Sequence, residues 1–179
     1  MEVEQKKNSF LELVKIVVIS LAIVLPIRAY VAQPFIVEGD SMEPNFKDGQ
    51  YLIIDELSYN FNNPERGDTI VLRAPIQPSL FFIKRIIGLP GEEFKIENGK
   101  IIITGKDSNR IVLKEEYIPE GINTVPDTEI KLKDNEYFVM GDNRNRSSDS
   151  RSWGPLPEDN ITGKVFLRLW PLSKINIFK

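Results

Sequence analysis

The 179-residue chain contains no cysteine and no histidine. The first absence excludes disulfide frameworks, thiolate metal sites and cysteine-protease chemistry. The second excludes every mechanism that uses imidazole as a base. A proton acceptor must therefore be Lys, Asp, Glu or Tyr. A strong charge imbalance is also missing: the net charge of −3 speaks against wholesale nucleic-acid binding. Repeats and low-complexity tracts are absent, and long apolar runs are absent but for one. With 41% apolar residues the chain can bury one real core.

The single apolar run follows Lys6 and Lys7 and extends from Phe10 to Ile27. As a helix it spans roughly 27 Å, close to one hydrocarbon core. Glu12 and Lys15, three apart, can pair on one face near its start. A buried core helix is the alternative to a membrane anchor. A cleaved secretory signal needs small residues at −1 and −3 of the cut. Cutting after Ala32 puts Tyr30 at −3, cutting after Ala29 puts Ile27 there, and Ser20-Leu21-Ala22 lies inside the run. The segment reads as an uncleaved anchor. Lys6 and Lys7 place the N-terminus in the cytoplasm, so residues 1–33 form the tail and anchor and residues 34–179 an extracytoplasmic domain.

After Pro34 the texture is β-rich and punctuated by Gly, Pro and Asn. Expected strands are Phe35–Val37, Tyr51–Glu56, Thr69–Leu72, Leu80–Ile87, Phe94–Glu97, Lys100–Thr104, Glu129–Leu132, Tyr137–Met140 and Gly163–Leu169. Asn98-Gly99 predicts a two-residue hairpin, and Leu89-Pro90-Gly91 a type II turn. Residues from about 92 to 135 read as an excursion from the main sheet. The expected fold is mainly β, with one N-terminal transmembrane helix.

Two stretches carry candidate chemistry. Gly39-Asp40-Ser41-Met42-Glu43-Pro44 is a tight, non-repetitive turn that can expose a hydroxyl together with a backbone N–H, as an oxyanion site requires. On this stretch alone, a capping or turn serine is the simpler reading of Ser41. In Phe81-Phe82-Ile83-Lys84-Arg85, strand alternation sets Leu80, Phe82, Lys84 and Ile86 on one face, and Arg85 opposite. Apolar neighbours would desolvate the Lys84 amine and lower its pKa, and Arg85, if close, would lower it further. A surface lysine snorkelling past core residues is the alternative. A third stretch, Gly141 to Gly154, alternates Asp, Asn, Arg and Ser, and Asp–Arg pairs there can hold bidentate geometry.

Together these motifs resemble the bacterial type I signal peptidases, membrane-bound Ser/Lys endopeptidases. The resemblance runs through the apolar segment, Gly-Asp-Ser-Met-Glu-Pro at 39–44, Arg66-Gly67-Asp68, Ile83 to Gly91, and Gly141-Asp142-Asn143-Arg144 through Asp149 to Gly154. It implies that Ser41 is the nucleophile, Lys84 its base, and Ser147 the hydroxyl orienting the lysine. It also implies that Arg85, Asp142, Arg144, Asp149 and Arg151 brace the site. Phe35, Val37, Met42, Phe82 and Ile83 are the expected lining of shallow pockets for small residues at −1 and −3 of the substrate. The resemblance implies no metal and no cofactor; the partners are secretory preproteins and the lipid bilayer.

Two departures from the family pattern stand out. Gly39 occupies the position where relatives with a second hydroxyl oxyanion donor carry serine, which leaves the Ser41 backbone N–H. Asn145-Arg146 replaces a common Asp-Asn. A self-cleaving repressor-type regulator shares the dyad, but calls for a DNA-binding domain and no anchor. A tethered β-domain that only binds a partner is the non-enzymatic alternative.

Overall fold

The computed structural model describes residues 2–26 and 32–178. Helix α1 (Glu2–Pro26) precedes the β-rich part. Its strands are β1 (Ala32–Ile36), β2 (Tyr51–Asp55), β3 (Thr69–Ala74), β4 (Gln77–Gly88), β5 (Glu93–Glu97), β6 (Lys100–Thr104), β7 (Arg110–Val112), β8 (Thr128–Lys131), β9 (Glu136–Met140), β10 (Leu156–Pro157), β11 (Ile161–Trp170) and β12 (Asn176–Ile177). One helical turn, α2 (Ser150–Trp153), separates β9 from β10.

The larger sheet runs β1-β2-β11-β3-β4-β9-β10, with β12 attached to β11, and its neighbouring strands pair antiparallel. Alternation along β3 and β4 divides its core between two faces. Val71 and Ile83 join Val37, Met42, Phe46, Leu52, Ile54 and Val165 on one face. Ile70, Leu72 and Ile86 join Tyr137, Val139 and Leu156 on the other. Strand β3 is buried on both sides because it sits centrally, between β11 and β4.

The smaller sheet, β7-β6-β5-β8, covers its own apolar cluster of Phe94, Ile96, Ile101, Ile103 and Leu132, which closes on Ile87, Phe138 and Met140 of the larger sheet. Its central hairpin turns at Asn98-Gly99 with both φ angles positive, +52° and +76°. That is the requirement of a type I′ turn, which explains the Asn-Gly pair. The turn after β4 is closed by the Glu92 N–H on the Leu89 C=O at 3.2 Å.

Three short strands, β7, β10 and β12, lie outside the expected set, and β1 lies three residues upstream of its expected start, at Ala32. Among the described residues no helix is long and apolar enough to cross a membrane. The described part of the apolar run, Phe10 to Pro26, covers roughly 25 Å as a helix, short of a ~30 Å hydrocarbon core. Ile27 lies outside the described residues.

Candidate active site

Ser41 is presented by a turn in which the Glu43 N–H donates to the Asp40 C=O at 3.1 Å and the Phe46 N–H to the Met42 C=O at 2.9 Å. The turn is anchored from below by Met42 and Phe46, both 1% exposed in the core. From the side, the loop after β9 holds it: the Asn143 N–H donates to the Ser41 C=O at 3.0 Å, and Asn143 Nδ2 donates to the Asp40 C=O at 3.1 Å. Gly141 permits that approach. A Cβ there would stand 2.4 Å from the Ser41 carbonyl oxygen and 2.3 Å from Ser147 Oγ.

Lys84 comes from the middle of β4, directly across from Ile70 of β3. It is 3% exposed, and its Nζ lies 2.9 Å from Ser41 Oγ and 2.9 Å from the Ile83 C=O, to which it donates. The Phe82 ring covers it at 5.2 Å. Burial pushes its pKa down to about 8, against the raising influence of Asp149 and Asp142, while Arg151 lowers it further. The nearby cation that lowers Lys84 is thus Arg151. The charge of Arg85, expected to act this way, is absorbed by Asp142.

Two bidentate pairs flank Ser41 and Lys84. Arg85 Nε and Nη2 donate to Asp142 Oδ1 and Oδ2 at 2.8 and 2.7 Å. Arg151 Nε and Nη2 donate to Asp149 Oδ1 and Oδ2 at 2.8 and 2.7 Å. Asp149 also caps α2 and accepts the Gly141 N–H at 3.0 Å. Burial would raise the Asp149 carboxyl, but Arg151 and the Gly141 N–H hold it below the usual range. Arg144, 4% exposed, reaches Glu115 and Thr124 and donates from Nε to the Gly141 C=O at 3.3 Å. Glu115, Thr124 and Tyr117 were not legible as site residues; they lie in the irregular stretch between β7 and β8, where no motif marks them.

Beside the dyad lies a cleft of about 300 Å³. Phe35, Val37, Phe82 and Ile83 line it, together with Leu52, Val71, Leu80 and Phe81. Met42 does not line it: its side chain is in the core beneath the turn, where its sulfur accepts the Asp142 N–H at 3.4 Å. Ser147 also departs from expectation. Its Oγ is buried beside Asp149, whose carboxyl it helps hold low, and makes no bond to Lys84; the second partner of the amine is the Ile83 C=O. Gly39, with φ of +82°, donates its N–H to Asp48 Oδ1 at 2.8 Å and offers no side-chain donor.

The model of the family described as signal peptidase, peptidase S26, matches residues 10–170. The chain is 36% identical over 178 residues to a probable signal peptidase I-2 of Synechocystis sp., covering 96% of this chain and 78% of that relative. It is 36% identical over 179 residues to signal peptidase I P of Bacillus subtilis subsp. natto, covering 97% of this chain and 96% of the relative. The crystal structure of a signal peptidase I from Enterococcus faecalis V583 aligns with a TM-score of 0.50 at 28% identity, over 58% of this chain and 97% of that one. Matched along nearly all its length by one family model and by relatives above 30% identity, the chain belongs to the signal peptidase family, peptidase S26.

Proposed function

We propose that this signal peptidase, which removes signal peptides from preproteins, cuts by a Ser41–Lys84 dyad. The observation that carries the reading is the 2.9 Å separation of Ser41 Oγ and Lys84 Nζ, with the lysine 3% exposed. A serine hydroxyl needs an adjacent base to attack a peptide carbonyl. A lysine serves only when neutral, and desolvation lowers Lys84 to about 8, within reach of physiological pH.

In the forward step the neutral amine takes the Ser41 proton as Oγ adds to the scissile carbonyl. The Ser41 backbone N–H faces the developing oxyanion. Collapse expels the new N-terminus of the mature chain, which receives the proton from the Lys84 ammonium. Lys84, neutral again, takes a proton from a water that attacks the acyl-serine; as the signal peptide leaves with a free carboxylate, the Lys84 ammonium returns that proton to Ser41 Oγ. Arg85–Asp142, Arg151–Asp149 and Arg144 hold the loop against the dyad, and the Ile83 C=O takes the orienting role expected of Ser147. The substrate lies extended in the cleft of Phe35, Val37, Phe82 and Ile83, whose shallow walls admit small side chains at −1 and −3.

The division into an anchor, residues 1–33, and an extracytoplasmic catalytic domain, residues 34–179, belongs to the same proposal. It is supported by the outward apolar side chains of α1, where Phe10, Leu13, Ile16, Val18 and Ile19 are each 58–66% exposed. Such a surface needs a cover, and a bilayer fits a run flanked by Lys6 and Lys7. Cleavage of a preprotein by purified Ser41→Ala and Lys84→Ala tests the dyad. Both variants are expected to release no signal peptide; release at the wild-type rate by either removes that residue from the mechanism.

A further inference from the structure

On the turn that carries Ser41, Asn45 has no part in the proposed proton transfers yet reaches the bracing carboxylate Asp142. Asn45 Nδ2 donates to Asp142 Oδ2 at 2.9 Å and to the Tyr117 C=O at 2.8 Å. Its own C=O accepts from Arg168 Nη2 at 2.9 Å. These partners come from three separate segments: the loop after β9, the stretch between β7 and β8, and β11. Each of them is itself held. Asp142 carries both bonds from Arg85, the Arg85 guanidinium lies over the Tyr117 ring at 4.2 Å, and the Arg168 guanidinium sits 5.1 Å and 5.3 Å from the rings of Phe46 and Phe178.

Residue 45 is coupled to residue 41 through a short, internally bonded turn. The Phe46 N–H on the Met42 C=O and the Glu43 N–H on the Asp40 C=O leave it little freedom to deform. A displacement at Asn45 is therefore transmitted to the Ser41 hydroxyl. The chemistry of the side chain also fits. Its acceptors are a carboxylate and a carbonyl, so only a donor satisfies both, and a neutral amide does so without adding charge beside the dyad.

We infer that Asn45 is a positioning residue for the hydrolysis, holding the Ser41 hydroxyl in register with Lys84 by fastening the nucleophile's turn to the Arg85–Asp142 pair and to Tyr117. The inference rests on the Ser41–Lys84 reading. Asn45 does not line the substrate cleft, whose walls are Phe35, Val37, Phe82 and Ile83. Its loss therefore acts on turnover rather than on substrate binding.

The test is steady-state cleavage of a preprotein by the full chain in detergent, at a temperature well below each variant's Tm, so that every variant is fully folded. Asn45→Ala is expected to lower kcat at least tenfold with KM within threefold of wild type. Asn45→Gln, which keeps the amide, is expected to recover part of that loss. The isosteric Asn45→Asp keeps the size of the side chain but removes the donor and sets a second carboxylate against Asp142, so it is expected to lower kcat at least as far as Asn45→Ala, whereas Asn45→Gln is not. Should Asn45→Ala fail to fold, the split between Asn45→Gln and Asn45→Asp decides the matter.

Wild-type kcat in Asn45→Ala or in Asn45→Asp overturns the inference. Ser41→Ala separates the two levels of the argument. If it cleaves at the wild-type rate, the dyad itself is wrong; if it is inactive while Asn45→Ala is not, only the role of Asn45 falls.

Discussion

A lysine ammonium that is 3% exposed and lies against Ile70 and Phe82 has lost most of its hydration, and its nearest compensation is two carboxylates already committed to arginines. Two measurable consequences follow from the pKa of about 8. The first is catalytic. Below that value the amine is protonated and cannot accept the Ser41 proton, so kcat/KM should rise with pH through an apparent pKa of about 8 and level off above it. A limb near the ordinary lysine value would contradict a desolvated base, and Lys84→Arg should be inactive at every pH because guanidinium stays protonated. The second is energetic. Between about pH 8 and the ordinary lysine range the unfolded chain binds a proton that the folded chain has released. Folding stability therefore rises with pH across that window, and the burial penalty is fully present below it. Lys84→Met should abolish cleavage yet stabilise the protein at pH 7 by up to about 3 kcal/mol, read as a higher denaturant midpoint. Ser41 and Lys84 were legible because both lie in sequence patterns with a chemical reason: a tight Gly/Pro-bracketed turn and an alternating apolar strand. Met42, Ser147 and Asn45 were not, because where side chains point in an irregular turn depends on which distant loop packs against it.

At the scale of elements, the site is a meeting of three pieces: the turn before Phe46, the middle of β4, and the loop from Gly141 to α2. The closest approach is at Gly141, where any side chain would collide with the Ser41 carbonyl at 2.4 Å. Neither neighbour can retreat cheaply, since the Asn143 N–H holds that carbonyl and Asp149 holds the Gly141 N–H. Gly141→Ala should therefore displace the nucleophile's turn and lower kcat/KM by about 100-fold, the order expected of a 1 Å misplacement. Kinetics on a folded Gly141→Ala protein check this, and near-wild-type turnover would mean that the loop yields. Most elements of this scaffold could be read from β-branched runs such as Thr69–Leu72 and Lys100–Thr104 and from the Asn98-Gly99 turn. Strands β7, β10 and β12 could not, because two or three residues carry no period, and their pairing is dictated by the partner strand.

On the scale of the whole molecule, the three apolar clusters are built, among the described residues, from positions 35–178. The sequence of α1 was legible as apolar, but apolarity alone does not distinguish a core helix from an anchor. What separates them is the cover, and among the described residues none of the three clusters recruits an α1 side chain. A chain lacking residues 1–31 should therefore keep its fold, with a thermal midpoint within a few degrees of the full chain. It should still cut a soluble signal-peptide substrate, because the dyad, the bracing pairs and the cleft lie at residue 35 and beyond. It should no longer float with lipid vesicles, and its rate on a preprotein embedded in those vesicles should drop far more than its rate on the soluble peptide. The two rates should diverge because an α1 seated in the bilayer would confine enzyme and substrate to one surface and raise their effective concentration. Equal losses on both substrates would instead mean that α1 supports the catalytic fold. Vesicle flotation of a truncated chain at full-length levels would show that the bilayer is held by the β-rich part.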